Sequence, residues 1–183
     1  MGKPRAFLEE VEMEFARYRL LGLQSLERLT SDKLFLALGS HDNPAAVIVQ
    51  HLCGNMRSRW TDFLTTDGEK PWRNRDREFE PILRTREEVI AAWETGWDTL
   101  MDALQALSDL DLERIVYIRG EAHSIRRAIL RQLAHYPYHV GQLVHIAKAY
   151  TTNGWDSLSI PKGGSEDFNR TMTGMHSRSD NKP

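Results

Sequence analysis

The stretch Gln132-Leu-Ala-His135-Tyr-Pro137-Tyr-His139-Val-Gly141-Gln142 lies in the longest helical pattern of the chain. From about Ser124 to Tyr150, the residues Ile125, Ile129, Leu133, Tyr136, Val140, Leu143 and Ala147 recur at three- and four-residue steps. That period marks a helix with one buried stripe. His135 and His139, four apart, then sit one above the other, roughly 6 Å along the axis, so that both imidazoles can turn toward one ion. At about 100° per residue they share an edge with Gln132 and Gln142, beside the apolar stripe, whereas His145 points away. Pro137 removes one backbone hydrogen bond, frees the carbonyl of Leu133 and costs ~3 kcal/mol inside a helix. Either it shapes a site between two ligands, or a new helix begins there and His135 leaves the shared face.

Three further helices precede this one. Leu8, Val11, Phe15, Tyr18, Leu26 and Leu29 give a first amphipathic helix from Pro4 to about Leu29. Asn43-Pro44 is an N-cap with proline at the first helical position. It opens a second helix to about Leu64, buried through Ala45, Ile48, Val49, Leu52, Met56 and Phe63. Thr85-Arg-Glu-Glu88 is a capping box, followed by Val89, Trp93, Trp97, Leu100, Leu104 and Leu107 at helical spacing. The two tryptophans read as core rather than ligand platform, given the surface each must bury. Between the second and third helices, residues 65–84 show neither a helical nor an alternating period. A loop that long is unusual in a compact domain and can cross a bundle, which makes the second and third helices parallel. Ile115–Ile118 reads as a short extended segment ended by Gly120. The expected fold is therefore all-α, a four-helix bundle with a long crossover, one domain over residues 1–165, and a partly disordered tail over 166–183.

Composition sets the class. The chain has 183 residues, 40% hydrophobic and 27% charged, which is globular material with enough length for its own core. With 24 basic and 26 acidic side chains the net charge is -2, so there is no global attraction to nucleic acid or anionic lipid. No nucleic-acid motif, phosphate-cradling glycine loop or nucleophilic triad is present. The single cysteine, Cys53, permits no internal disulfide. The amino terminus lacks a signal-like apolar run, and no segment reaches the ~18 apolar residues of a membrane span. A cytoplasmic protein with a small-molecule substrate is expected.

A transition metal needs a third protein ligand, and His51 on the shoulder of the second helix is the candidate. Cys53 lies about 200° from it around that helix and cannot share its ion. His41, His123 and His176 read as structural, capping or exposed. In the crossover, Trp72, Arg73, Arg75 and Arg77 suit an anionic or planar ligand through charge-assisted bonds and stacking. The alternative is a solvated loop pinned to the bundle by Trp72 and Phe79.

Val49-Gln50-His51-Leu52, taken together with Ala134-His135-Tyr-Pro-Tyr-His139-Val-Gly141-Gln142-Leu, resembles the DinB/YfiT-like superfamily. The likeness spans the helical region. The segments Lys70-Pro-Trp-Arg-Asn-Arg-Asp-Arg-Glu-Phe79 and Trp155-Asp-Ser-Leu-Ser-Ile-Pro-Lys-Gly-Gly-Ser-Glu look like one uncharacterised bacterial branch of it. The resemblance implies a four-helix bundle holding a metal through His51, His135 and His139, and pairing of two bundles as a homodimer. Characterised relatives include transferases and isomerases that use bacillithiol or mycothiol. Many members carry an arginine before the Gly-Gln pair. Val140 stands there in this chain, so no relative's substrate carries over.

Three imidazoles with no fourth protein ligand describe an open site, suited to Zn, Ni, Fe or Mn. Such an ion activates a bound water for hydrolysis or holds a thiol as thiolate. The first expectation is a thiol-dependent S-transferase with a low-molecular-weight thiol as second cofactor. Gln132 and Gln142 would orient ligands or substrate, and Gln142, Trp72, Arg73 and Arg75 would contact the cofactor. A metal-dependent hydrolase, or a nonenzymatic stress-related bundle that binds metal or a small ligand, is the alternative. The general acid or base is not legible.

Overall fold

The computed structural model describes residues 4–152 and 154–179. The chain divides into two compact units, the first ending at Thr151 and the second beginning at Thr152. In the first unit, α1 spans Ala6–Glu27, α2 Ala45–Trp60, α3 Arg86–Gln105 and α4 Ile125–Tyr150. The strands β1 (Ile115–Ile118) and β2 (Glu121–Ser124) form an antiparallel hairpin just ahead of α4. Among the described residues, no helix is long and apolar enough to cross a membrane.

Helix directions follow from side-chain partners. Arg5 at the start of α1 donates to the carbonyl of Leu104 at 3.3 Å, and Arg86 at the start of α3 donates to that of Leu26 at 3.2 Å, so α1 and α3 are antiparallel. Phe7 lies under Arg126 and Phe15 against Tyr136, so α1 and α4 run the same way. His51 meets His139 and Asn55 meets Tyr136, which sets α2 against α4. It follows that α2 and α3 are parallel, as the crossover length predicts. α2 packs most extensively on α3, and α1 on α4.

The core is aromatic at its centre. Trp97 and Tyr136 are fully buried and Trp93 nearly so. Phe15 lies 6.2 Å from Trp97 and 5.9 Å from Tyr136, and the two tryptophan rings are 5.5 Å apart in an edge arrangement. Both tryptophans are therefore packing residues. Burying the Tyr136 hydroxyl requires partners, and it accepts from Trp60 Nε1 at 2.9 Å and donates to Asn55 Oδ1 at 3.2 Å. Burial holds this phenol well above its usual range.

Three details differ from the sequence reading. α2 ends at Trp60 rather than near Leu64, and the chain turns through Asp62 at a φ of 47°. The extended segment has a partner strand, with Ile118 opposite Glu121 and Arg119-Gly120 as a two-residue turn. Both turn residues have positive φ, 56° and 75°, the backbone a tight hairpin of this twist demands. Gly120 takes it at no cost, and the non-glycine Arg119 is held there by Asp67, whose carboxylate accepts from the amides of Arg119 at 2.8 Å and Gly120 at 2.7 Å. Finally, α4 runs unbroken through Pro137, so the reading in which a new helix starts there is set aside.

In the second unit, α5 spans Ser165–Ser179. The expected boundary at residues 165/166 falls at its start, and most of the tail expected to be partly disordered is helical. Residues 180–183 lie outside the described residues.

Close packing at Gly22 offers a test of the core. A Cβ there would collide with the Trp93 ring, which is itself buried against Trp97. Gly22→Ala is expected to destabilise the protein by about 1–3 kcal/mol through overpacking, despite alanine's better helix propensity. The check is the thermal midpoint by circular dichroism, expected to fall by several degrees.

Candidate metal centre

Each of the three histidines is placed by helix geometry and then aimed by a partner on its Nδ1. On α4, the four-residue step stacks His135 on His139, with their Nε2 atoms 3.1 Å apart. His135 Nδ1 faces Gln132 Oε1 at 3.3 Å, and His139 Nδ1 faces Gln142 Oε1 at 2.8 Å. On α2, His51 is buried and its Nδ1 lies 2.8 Å from Glu78 Oε2. Carbonyl and carboxylate oxygens only accept hydrogen bonds. With the amides oriented this way, every Nδ1 carries the proton and every Nε2 is left with a free lone pair. One ligand atom from each ring lies within 4.8 Å of the others, and the ring centroids of His51 are 5.6 Å from His135 and 4.9 Å from His139.

Two lone pairs facing each other at 3.1 Å repel unless a positive centre lies between them. Nitrogens at 2.0–2.1 Å from a shared tetrahedral ion stand about 3.3 Å apart, so the spacing fits a bound metal. The electrostatics agree. Burial, with the nearby charges of His139 and His51, pulls His135 down to about 3, and burial also lowers His139 despite the support of Gln142. Both are therefore neutral near pH 7, the state a ligand needs.

Glu78 is the residue that sequence reasoning missed. It sits in the crossover, in a 3-10 turn over Asp76–Phe79, with its side chain only 9% exposed. Arg73 grips it in a fork, Nε to Oε1 at 2.7 Å and Nη2 to Oε2 at 2.9 Å. Burial alone would raise this carboxyl, but the bonds from His51 and Arg73 and the charge of Arg73 bring it below its usual range. Oriented this way, a carboxylate behind a histidine fixes the tautomer and increases ligand basicity. Phe79 covers the other face of His51, stacked at 5.0 Å.

α2 makes room for this arrangement. A Cβ at Gly54 would collide with Glu78 Oε1 and lie 2.7 Å from its Cδ. Gln50, one residue before His51, donates to the carbonyls of Glu78 at 2.7 Å and Glu80 at 2.8 Å and accepts from the amides of Ile82 and Leu83. The crossover is thus laced to α2 from both sides of the histidine. A signal was present in the sequence, since a mid-helix glycine three residues after a candidate ligand marks a close approach. Its partner, 24 positions further on in an aperiodic loop, carried no mark of its own.

The expected ligand-gripping residues have different fates. Arg73 is 2% exposed at its side chain and is committed to Glu78 and Glu69. Trp72 is 55% exposed and lies with Arg57 in another groove, where Cys53 also sits. Arg75 lines the cleft that contains His51 and His135. Gln142 faces His139. Cys53 lies against Gly96 of α3, away from the histidines, with burial raising its thiol. Among the described residues, His51, His135 and His139 are the group that could hold a metal ion.

Solved structures share this architecture. A DinB-like protein from Bacillus cereus matches with a TM-score of 0.63 at 14% identity, over 81% of this chain and 97% of that one. A DinB-like protein from Bacillus subtilis matches with 0.61 at 13% identity, over 81% and 96%. Identities this low establish the DinB-like fold and carry no activity with them. No curated protein sequence matches the chain. The profile of the family described as "Protein of unknown function (DUF1572)" matches residues 3–164, and the chain belongs to that family.

Proposed function

We propose that the chain is a metal-dependent enzyme with an open three-histidine centre that joins a low-molecular-weight thiol through its sulfur to a small electrophilic substrate, the S–H proton passing to solvent as the substrate's leaving group departs. The observation that carries the reading is the common arrangement of the three rings, each with Nδ1 on an oxygen acceptor and one ligand atom of each within 4.8 Å of the others. Zn, Ni, Fe or Mn all suit three nitrogen donors. When bound, such an ion acts as a Lewis acid that favours the thiolate form of a sulfhydryl ligand.

The protein's own part is orientation and access. Glu78 keeps His51 in one tautomer, Arg73 keeps Glu78 ionised, and Phe79 shields the ring from water. No carboxylate or cysteine closes the group of three among the described residues, and a cleft opens over His51 and His135. A sequestering protein is better served by a closed set of ligands, so the open side favours catalysis. The cytoplasmic location expected from composition and the homodimer implied by the resemblance enter none of this chemistry.

Protein purified without a metal-affinity tag is expected to contain near-stoichiometric transition metal. His51→Ala and His139→Ala should each lose it, as read by elemental analysis. A metal-free native protein that takes up neither Zn²⁺ nor Ni²⁺ would end the metalloenzyme reading. With metal bound, thioether formation from bacillithiol or mycothiol and an alkylating probe should depend on His51, followed by mass spectrometry. Turnover that needs no added thiol would instead identify a hydrolase.

Gly54→Ala touches no ligand, yet it displaces Glu78 from behind His51. It is expected to weaken metal binding about 10–100-fold, with Glu78→Gln falling in the same range. Competition with a chelating dye measures both, and unchanged affinity in the two variants would remove Glu78 from the centre.

A further inference from the structure

The cleft beside the histidines, about 220 Å³, is lined by Arg59, Arg73, Arg75, Arg119 and Arg131 as well as His51 and His135. The arginines come from different places: Arg59 from α2, Arg131 from α4, Arg73 and Arg75 from the crossover, and Arg119 from the hairpin turn. Their placement next to the histidines has a simple origin. His51, Asn55 and Arg59 follow one another at four-residue steps along α2, and Arg131, His135 and His139 do so along α4. Residues at that spacing share a helix face, and because the two helices are antiparallel, both stripes run from histidine to arginine in the same direction.

Arg59 is the telling residue. It is 6% exposed, and its Nε and Nη1 are buried without a hydrogen-bond partner among the described residues. A guanidinium buried without a counter-ion is costly. The acidic groups around it are already engaged. Glu78 holds His51 and Arg73, Glu69 holds Arg73 and Arg119, and Asp67 accepts from backbone amides. Arg59 is also held in place: a Cβ at Gly68 would lie 2.9 Å from its Nη1 and 3.0 Å from its Cδ. Ser58, next to it, donates to the Gly68 carbonyl at 2.8 Å and keeps that backbone close. Burial lowers the pKa of Arg59 from its ordinary value, which an anion in the cleft would offset.

We infer that this cleft binds an oxyanion head group of the substrate, a carboxylate or a phosphate, with Arg59 as its buried anchor and Arg131 and Arg75 at its mouth. The inference rests on the proposed metal centre only for what the rest of the substrate meets, because the arginines are present whether or not a metal is bound. It deepens that proposal by naming the substrate class: a small anionic molecule whose charged end lies beside His135 and whose reacting end reaches the three Nε2 atoms. A cleft of this size holds a head group rather than a whole cofactor.

Inorganic phosphate and acetate are the probes, titrated by calorimetry into the full chain as purified and again after chelation. Saturable one-to-one binding of at least one probe is expected in both forms and should weaken with added chloride. Arg59→Met and Arg131→Ala should each lower that affinity at least ten-fold, with Arg126→Ala, on the far side of α4, unchanged. Arg131 is exposed, so its variant keeps the test decisive if Arg59→Met fails to fold. Preference for phosphate would point to phosphorylated substrates, and preference for acetate to carboxylates. Binding that survives Arg131→Ala, or is seen only with metal present and ignores both arginines, would overturn the inference. Arginine-dependent anion binding in a protein that takes up no metal would uphold this site while removing the metal centre, and the converse result would do the reverse.

Discussion

A buried carboxylate held between two partners organises this protein. Glu78 lies between the guanidinium of Arg73 and the imidazole of His51, and ion pairs removed from water are stable only when every partner is in place. Removing one partner of such a pair typically costs 3–5 kcal/mol. The arrangement therefore constrains more than the histidine: it fixes where the crossover lies on α2, which in turn places Phe79, Arg75 and the entry to α3. What reads as an irregular loop is held to α2 by side-chain bonds from Gln50 and His51.

The helices and the grouping of the histidines on α4 were legible because both obey a period. Apolar residues at three- and four-residue steps define helical faces, and His135 with His139 follows the same arithmetic. The pairing of α2 with α3 in parallel could be read from the length of residues 65–84 alone. Glu78, Arg59 and the strand Glu121–Ser124 were not legible. Glu78 and Arg59 acquire their roles from residues distant in sequence, and the strand, though it pairs locally with Ile115–Ile118, turns through Arg119-Gly120, which is held by the distant Asp67. Arg73 shows the converse: its residue type suits a ligand, and the carboxylate it grips in the structure is the protein's own Glu78. The four-residue steps that join His51 to Arg59 and Arg131 to His139 were visible, and their meaning emerged only once the helix directions were known.

The DinB-like architecture recurs at identities of 13% and 14%, where little besides the pattern of buried positions need be shared. In this chain the crossover and the hairpin turn supply Glu78, Phe79, Arg75 and Arg119 around the histidines. Arg73, Arg75 and Arg119 of the cleft come from these segments, and so does the carboxylate behind His51.

The parallel pairing of α2 with α3, and of α1 with α4, bears on how the chain is made. No two consecutive helices can zip together as a hairpin, and α1 must wait roughly a hundred residues for the helix it covers. During synthesis the apolar faces of the first three helices leave the ribosome before their cover exists, a situation in which partly folded chains are prone to aggregate. α4 brings two of the three histidines of the candidate centre, so the group can be completed only after the last helix of the first unit is made. A metal bound there, as proposed, would tie α4 to α2 across the finished fold, because His51 stands on one helix and His135 and His139 on the other.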